Sequence, residues 1–316
     1  MEKTTCPINA TEIARAAALL RAGQLVAFPT ETVYGLGANA LDPAAIERIY
    51  AAKGRPPSSP LIVHVDSSEM GRTLVRDWPP AAELLARRFW PGPLTLVLPK
   101  KPEVPDRLTA GLETVGIRMP NNAIALALIR EAGFPIAAPS ANRFTELSPT
   151  TAQHVRDSLG DRVALVLDGG RTTVGIESTV LSLAGDLPLL LRPGMISQAE
   201  IEGVIGPLRA GRDPRGEAHP APGMHRKHYS PRTPLVLVDD GRLPANGQGA
   251  YLWIAKPSDA GKSIRMPSEA AAYAAVLYEM LHEVDSQRWD WIAVELPPSA
   301  AEWSAIRDRL ERASAR

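Results

Sequence analysis

The sequence is poor in several things, and each shortage excludes something. Cys6 is the one cysteine in 316 residues, so no disulfide forms within the chain, which fits a reducing compartment. Aromatic residues make up 5% of the chain, too few for a broad base-stacking platform. The 35 Lys and Arg are matched by 35 Asp and Glu, so no global field draws in nucleic acid or an anionic membrane, and only local clusters remain open. No apolar run approaches the length of a bilayer span. The opening "MEKTTCPINATEIAR" is polar and carries acids, unlike a secretory or Arg-rich transit leader. A cytoplasmic protein without a membrane partner is expected. Neither a Walker-type Gly-x-x-x-x-Gly-Lys-Ser/Thr nor a Gly-x-Ser-x-Gly elbow is present, and no cysteine is placed as a nucleophile.

What is present is alternation. Short runs rich in Val, Ile and Leu (24–28, 61–65, 94–98, 115–119, 135–138, 163–167, 178–183 and 189–192) alternate with helical patterns near 11–22, 43–53, 79–90, 122–132, 149–159 and 198–205. Asp42-Pro43 and Ser148-Pro149 read as an N-cap before a first-position proline, and Ser197 with Glu200 as a capping box. Gly23, Gly54 and Gly133 supply helix stops. Strands clustered near the end of this region predict an α/β fold with a mixed sheet rather than a purely parallel one. The pattern then lapses into a stretch rich in Pro, Gly, Arg and His. A small α/β unit follows, with strand-like "LVLVD", "AYLWIA" and "WIAVEL" and helices near 268–284 and 299–313. The expected organisation is 1–206, a linker at 207–233, and a C-terminal unit at 234–316.

"GLGANA" at 35–40 fits the dinucleotide fingerprint Gly-x-Gly-x-x-Ala. That fingerprint opens directly into a helix, whereas here "LDP" separates it from a helix beginning near Pro43, so a dehydrogenase is disfavoured and the glycines are read as a tight turn. The cations are more telling. Ile46, Ile49, Tyr50 and Lys53 fall at i, i+3, i+4 and i+7, which puts Lys53 on the apolar stripe of its helix, with Arg55 just beyond Gly54. Complementing the helix C-terminus is the plain explanation for Lys53. His64 ends a strand, where a packed core histidine is the commoner case. Arg118 in "VGIRMP" and Arg192 in "LLLRPG" close apolar runs, and a buried guanidinium there needs an anionic partner, either a protein carboxylate or a ligand. Ser140, Asn142 and Ser148 lie in a loop rich in hydroxyl and amide groups, and Ser178 and Thr179 at a strand start. Capping or turn formation explains each of these alone, although a helix N-terminus also suits phosphate. His219, His225 and His228 lie in the linker without metal-site spacing and are read as a solvated loop. Cations and hydroxyls without a protein nucleophile suit binding several anionic groups and letting them react with each other.

In order along the chain, "PTETVYGLGANA", "KGRPPSSPLIVHV", "WPGPLTLVL", "VGIRMP", "PSANRFTELSPT", "GIESTV" and "LRPG" resemble the YrdC-type L-threonylcarbamoyladenylate synthases over about residues 9–206. "APGMHRKHYSP" and the C-terminal unit resemble the two-domain branch of that family. The resemblance implies a twisted mixed open α/β sheet with flanking helices, plus a small Rossmann-like C-terminal domain. It also implies a nucleotidyl transfer in which L-threonine, bicarbonate and ATP give threonylcarbamoyl-AMP and pyrophosphate, for use by a tRNA threonylcarbamoyl-transferase complex. Thr32, His64, Arg118, Ala138 and Ser178 would hold threonine and the carboxy group, with Arg118 on the threonine carboxylate. Lys53, Arg55, Ser59, Thr114, Ser140, Asn142, Ser148 and Arg192 would surround ATP, Lys53 and Arg55 being catalytic. Tyr229 would help the linker close as a lid. Mg2+ would accompany ATP, held mainly by phosphates and water rather than by protein ligands. Stable tRNA binding is not required. Two positions depart from the family pattern: Thr145, near an expected glycine, and Ser182, at an expected acid. The competing readings are an RNA-binding module using a basic concave surface, which zero net charge weakens, and carbamoyl-adenylate chemistry, which calls for further domains.

Overall fold

The computed structural model describes residues 9–209, 228–239 and 241–315. Its first sheet contains β1 (Val26–Phe28), β2 (Gly35–Asn39), β3 (Ile62–His64), β4 (Leu94–Pro99), β5 (Thr114–Arg118), β6 (Ile136–Ala137), β7 (Leu165–Val166), β8 (Thr179–Ser182) and β9 (Leu189–Arg192). Their spatial order is β7-β1-β2-β6-β3-β5-β4-β8-β9. The pairs β1–β7, β3–β5 and β4–β8 are parallel and the others antiparallel, so the sheet is mixed, as expected.

Helices cover both faces. α1 (Ala10–Arg21) and α6 (Ala123–Ala132) pack together on one side, where Ala16, Leu20, Leu128 and Ile129 meet Val26 and Phe28. α2 (Pro43–Lys53), α4 (Pro80–Phe89), α7 (Ala152–Leu159) and α8 (Gln198–Ile205) cover the other, where Ala27 points. Val26, Ala27 and Phe28 thus alternate between the two cores, as a period-two strand must. Two short helices, α3 (Ser68–Arg72) and α5 (Asp106–Thr109), fill connections. Asp42 caps α2 through the backbone N–H of Ala44, and Gly54 ends it in the left-handed conformation at φ +62°. The Ser197–Glu200 capping box starts α8.

Two local expectations are corrected. "GLGANA" is not a turn: Gly35 to Asn39 form β2, antiparallel to β1. A Cβ on Gly37 would lie 2.8 Å from the Phe28 ring, so that glycine makes room for a core aromatic across the strands. Ser148 is not an N-cap. α7 starts later, capped by the Thr151 hydroxyl on the N–H of His154.

The second unit is a parallel sheet of β10 (Leu235–Val238), β11 (Gly249–Trp253), β12 (Lys262–Arg265) and β13 (Trp291–Glu295), ordered β10-β13-β11-β12, with α9 (Ala270–Asp285) and α10 (Ser304–Ala313). α9 docks directly on the first unit. Gly175 sits at φ +79°, and a Cβ there would come 2.3 Å from the Ala274 carbonyl oxygen, so only glycine admits this approach. Leu147 and Ile176 join Tyr273, Leu277 and Tyr278 in one apolar cluster. His154 of α7 stacks on His282 of α9, with centroids 3.9 Å apart.

Burial lowers the pKa of His154 to about 3, helped by the charge of His282. Burial lowers His282 as well, outweighing the Ser148 carbonyl and the carboxylates of Asp285, Asp157 and Glu146. His64 falls to about 3 through burial and the neighbouring Arg118. The unfolded chain takes up these protons as pH falls through about 6.5 while the folded chain resists them, so their contribution is complete above that pH and is lost as pH falls, toward pH 3 for His64 and His154. The slope is at most about 1.4 kcal/mol per pH unit for the fully buried His64 and smaller for the partly buried His154 and His282. The urea midpoint is therefore expected to fall from pH 7 to pH 5, and less steeply in a His154→Gln/His282→Gln variant. A flat profile, or one the substitutions leave unchanged, contradicts this.

Candidate functional site

The site forms where strands end. His64 closes β3 and Arg118 closes β5, and the two are register partners across that parallel pair. Ligand clefts in α/β sheets form at such carboxyl ends. The β1–β2 connection folds over them. The Thr30 hydroxyl donates to the Val33 carbonyl at 2.7 Å and accepts from the N–H of Thr32 at 3.1 Å, a turn that aims Thr32 inward. Arg118 Nη1 donates to the Thr32 hydroxyl at 2.9 Å, and Arg118 Nε to the Gly92 carbonyl at 3.3 Å. Arg118 Nη2 lies 2.5 Å from Glu31 Oε2, an ion pair 5% and 4% exposed on its two sides. Burial lowers the Arg118 pKa, and Glu31 opposes that shift.

A second wall comes from α2. Lys53 Nζ donates to the carbonyls of Ser140 and Asn142, at 2.5 Å each, and the Lys53 carbonyl accepts from the N–H of Phe144. Burial drives the Lys53 pKa well below its ordinary value, with Arg55 adding to the shift. Arg55 donates to the Ser59 hydroxyl at 2.5 Å and the Pro60 carbonyl at 3.0 Å, and burial lowers its pKa to about 10.

The third wall joins β8 and β9. Arg192 Nε donates to the Ser178 carbonyl and its Nη2 to the Ser178 hydroxyl, both at 3.1 Å, and that hydroxyl lies 2.8 Å from Thr95. Glu177, one residue earlier, accepts from Ser148 at 2.5 Å. Tyr229, at φ +60° and fully buried, and His228 close the remaining side.

These walls surround a cleft lined by Thr32, Arg55, His64, Arg118, Ala138, Ser140, Ser178, Arg192 and Tyr229, together with Thr30, Glu177 and His228. A small neighbouring hollow shares Ile62 with it and is lined by Pro60, Thr95, Thr114 and Val180.

Residues 18–194 match the Sua5_yciO_yrdC family, described as "Telomere recombination", and residues 196–315 match "Threonylcarbamoyl-AMP synthase, C-terminal domain". The chain belongs to the Sua5/YciO/YrdC family. It is similar to threonylcarbamoyl-AMP synthases of Bacillus subtilis (45% identity, 97% of this chain and 94% of that one) and Pyrococcus abyssi (42%, 97% and 95%). A solved P. abyssi Sua5 complexed with L-threonine superposes with a TM-score of 0.90 at 40% identity, covering 98% of this chain and 96% of that one.

Within this Sua5-type chain, five of the expected contacts lie off the main cleft. Lys53 does not line it, because its amine is turned onto two loop carbonyls and so holds the Ser140–Asn142 loop. Asn142 stands behind the loop, its amide donating to the carbonyls of Arg143 and Glu146. Ser59 buttresses Arg55, and Ser148 is engaged by Glu177. Thr114 lines the adjoining hollow. His228 is not solvated but 4% exposed, edge-on to the Phe144 ring. His219, His225 and most of the expected lid lie outside the described residues.

Sequence reasoning gave no role to Glu31 or Glu177. Both are acids inside motifs already singled out, and their neighbours Thr32 and Ser178 drew the attention. It did find Thr145, whose φ of +70° shows why glycine is expected there: a β-branched residue is strained in that region. Thr145→Gly should raise the unfolding free energy by up to about 1 kcal/mol, relief of strain being partly offset by the added entropy of the unfolded chain. Urea denaturation measures this, and a loss of stability contradicts it.

Proposed function

We propose that the cleft holds L-threonine and ATP together and makes threonylcarbamoyl-AMP. The observation that carries this reading is the convergence of Thr32, His64, Arg118 and Ser178 on one cleft, in a chain alignable over nearly its full length with a Sua5 solved with L-threonine. Bicarbonate and the threonine amine give an N-carboxy group with loss of water. An oxygen of that group bonds to the α-phosphorus of ATP, the bond from the α-phosphorus to the bridging oxygen breaks, and pyrophosphate leaves with that oxygen and its electron pair.

The roles follow from charge and position. Arg118, held by Glu31, Thr32 and the Gly92 carbonyl, offers the remaining N–H of each terminal nitrogen to the threonine carboxylate. Thr32 and Ser178 present hydroxyls, and Ala138 leaves room beside His64, which stays neutral. Arg55 and Arg192 face the phosphates, and Ser140 and Thr114 border the nucleotide. Lys53, Ser59, Asn142 and Ser148 set those groups in place from behind, so Lys53 acts on the phosphates through the loop it holds. Tyr229 excludes water from the mixed anhydride.

Mg2+ would be carried on the ATP phosphates. Glu177, which lines the cleft, and Glu31 behind Arg118 are both engaged by arginines, and among the described residues no cluster of His, Cys, Asp or Glu could hold a metal ion. No helix among the described residues is long and apolar enough to cross a membrane, and we place the enzyme in the cytoplasm, with a tRNA threonylcarbamoyl-transferase complex as consumer of its product. Likeness over nearly the full chain to threonylcarbamoyl-AMP synthases favours the enzyme over an RNA-binding module.

Mass spectrometry of the reaction with ATP, L-threonine and bicarbonate is expected to show threonylcarbamoyl-AMP. Pyrophosphate release should need threonine and bicarbonate together. Release with either omitted contradicts the order of steps.

A further inference from the structure

Arg309 of α10 belongs to the C-terminal unit, yet its side chain is 0% exposed and reaches the wall of the cleft. Its Nε donates to Glu177 Oε2 at 2.8 Å and its Nη2 to the Pro193 carbonyl at 3.0 Å. Its Nη1 is held by Asp308 at 2.6 Å, and Asp308 is held in turn by Arg312. The guanidinium also lies over the Tyr229 ring, 5.2 Å from its centroid. Glu177 precedes Ser178, and Pro193 follows Arg192. One planar group thus grips the two residues adjoining two site residues that already bond each other.

The surroundings make this grip stiff. A Cβ on Gly194 would lie 2.3 Å from the Thr179 nitrogen, so the exit of β9 packs directly on the start of β8. Glu177 is further fixed by the Ser148 hydroxyl at 2.5 Å and the Tyr278 hydroxyl at 3.1 Å, the latter again from the C-terminal unit. Burial would push the Glu177 carboxyl up, but the charges of Arg309 and Arg192 and the Ser148 bond outweigh it and hold the group below its ordinary range. A fork of donors fixes direction as well as distance, which a lysine cannot do.

We propose that Arg309 is a positioning residue through which the C-terminal domain completes the cleft: by holding Glu177 and Pro193 it sets Ser178 and Arg192 for substrate. The kinetic part of this rests on the synthase reading above; the mechanical part does not.

The test uses the full chain. Arg309→Lys keeps the charge and loses the fork. Glu177→Gln/Arg309→Met removes both charges of the pair, and Asp308 keeps Arg312 as its partner. Arg171→Ala is the control. Arg171 also bridges the domains, to the Ala275 carbonyl at 3.0 Å and Glu279 at 2.8 Å, but touches neither Glu177 nor Pro193. Both Arg309 variants are expected to raise KM for L-threonine or ATP roughly tenfold, with circular dichroism unchanged, while Arg171→Ala leaves KM alone. Amide hydrogen exchange should quicken across residues 178–194 in both Arg309 variants, and not in β3 or β5. Wild-type exchange across 178–194 in both variants overturns the proposal, as does an equal rise in KM and exchange in Arg171→Ala. Absence of turnover in the wild-type chain defeats the synthase reading alone, because hydrogen exchange still reads the grip.

Discussion

A guanidinium taken out of water must meet negative charge or lose its burial, and this chain gathers such groups around one cleft. Lys53, Arg55, Arg118 and Arg192 are all buried there, beside the buried carboxylates Glu31 and Glu177. Glu177 is shared with Arg309 of the other domain. The cations feel one another: burial lowers the pKa of Arg55 and Arg118, and Arg192 adds to both shifts. Hydroxyls and carbonyls spread this charge without cancelling it. In the proposed reaction, substrates bearing a carboxylate, a carboxy group and three phosphates would supply the negative charge that these cations lack.

The fold meets this constraint through placement at strand ends. His64, Arg118 and Arg192 close their strands, where the backbone leaves the sheet and side chains turn to a common rim. Lys53 and Asn142 contribute from one layer further out. Their hydrogen bonds fix a loop that carries no regular structure, and a loop that orients Ser140 needs such support. The C-terminal domain works at the same distance, gripping the far wall.

Much of this was legible in sequence because local signals are strong where caps and periodicity coincide. α2 and α8 run between the expected residues, since Asp42, Gly54 and the Ser197–Glu200 box mark their ends. β2 was not legible, because two glycines in five residues lack strand propensity and their purpose, room for Phe28, lies on another strand. β12 escaped notice because "KSIR" at 262–265 is a polar edge strand without an apolar run. Ser148 looked like a cap because its true partner, Glu177, is 29 residues away. The Arg309–Glu177 pair spans 132 residues, and no spacing rule reaches so far. The family resemblance located the cleft residues, while only geometry separates those that face it from those that stand behind.

The central claim is that Arg118, oriented by Glu31 and Thr32, meets the amino-acid carboxylate while other cations take the nucleotide. Calorimetric titration of L-threonine and of ATP, each into wild type and Arg118→Lys, tests it most directly. Loss of the fork with retention of charge is predicted to weaken L-threonine about tenfold or more and to leave ATP affinity nearly unchanged. Equal losses for both ligands, or an intact threonine affinity, would contradict it.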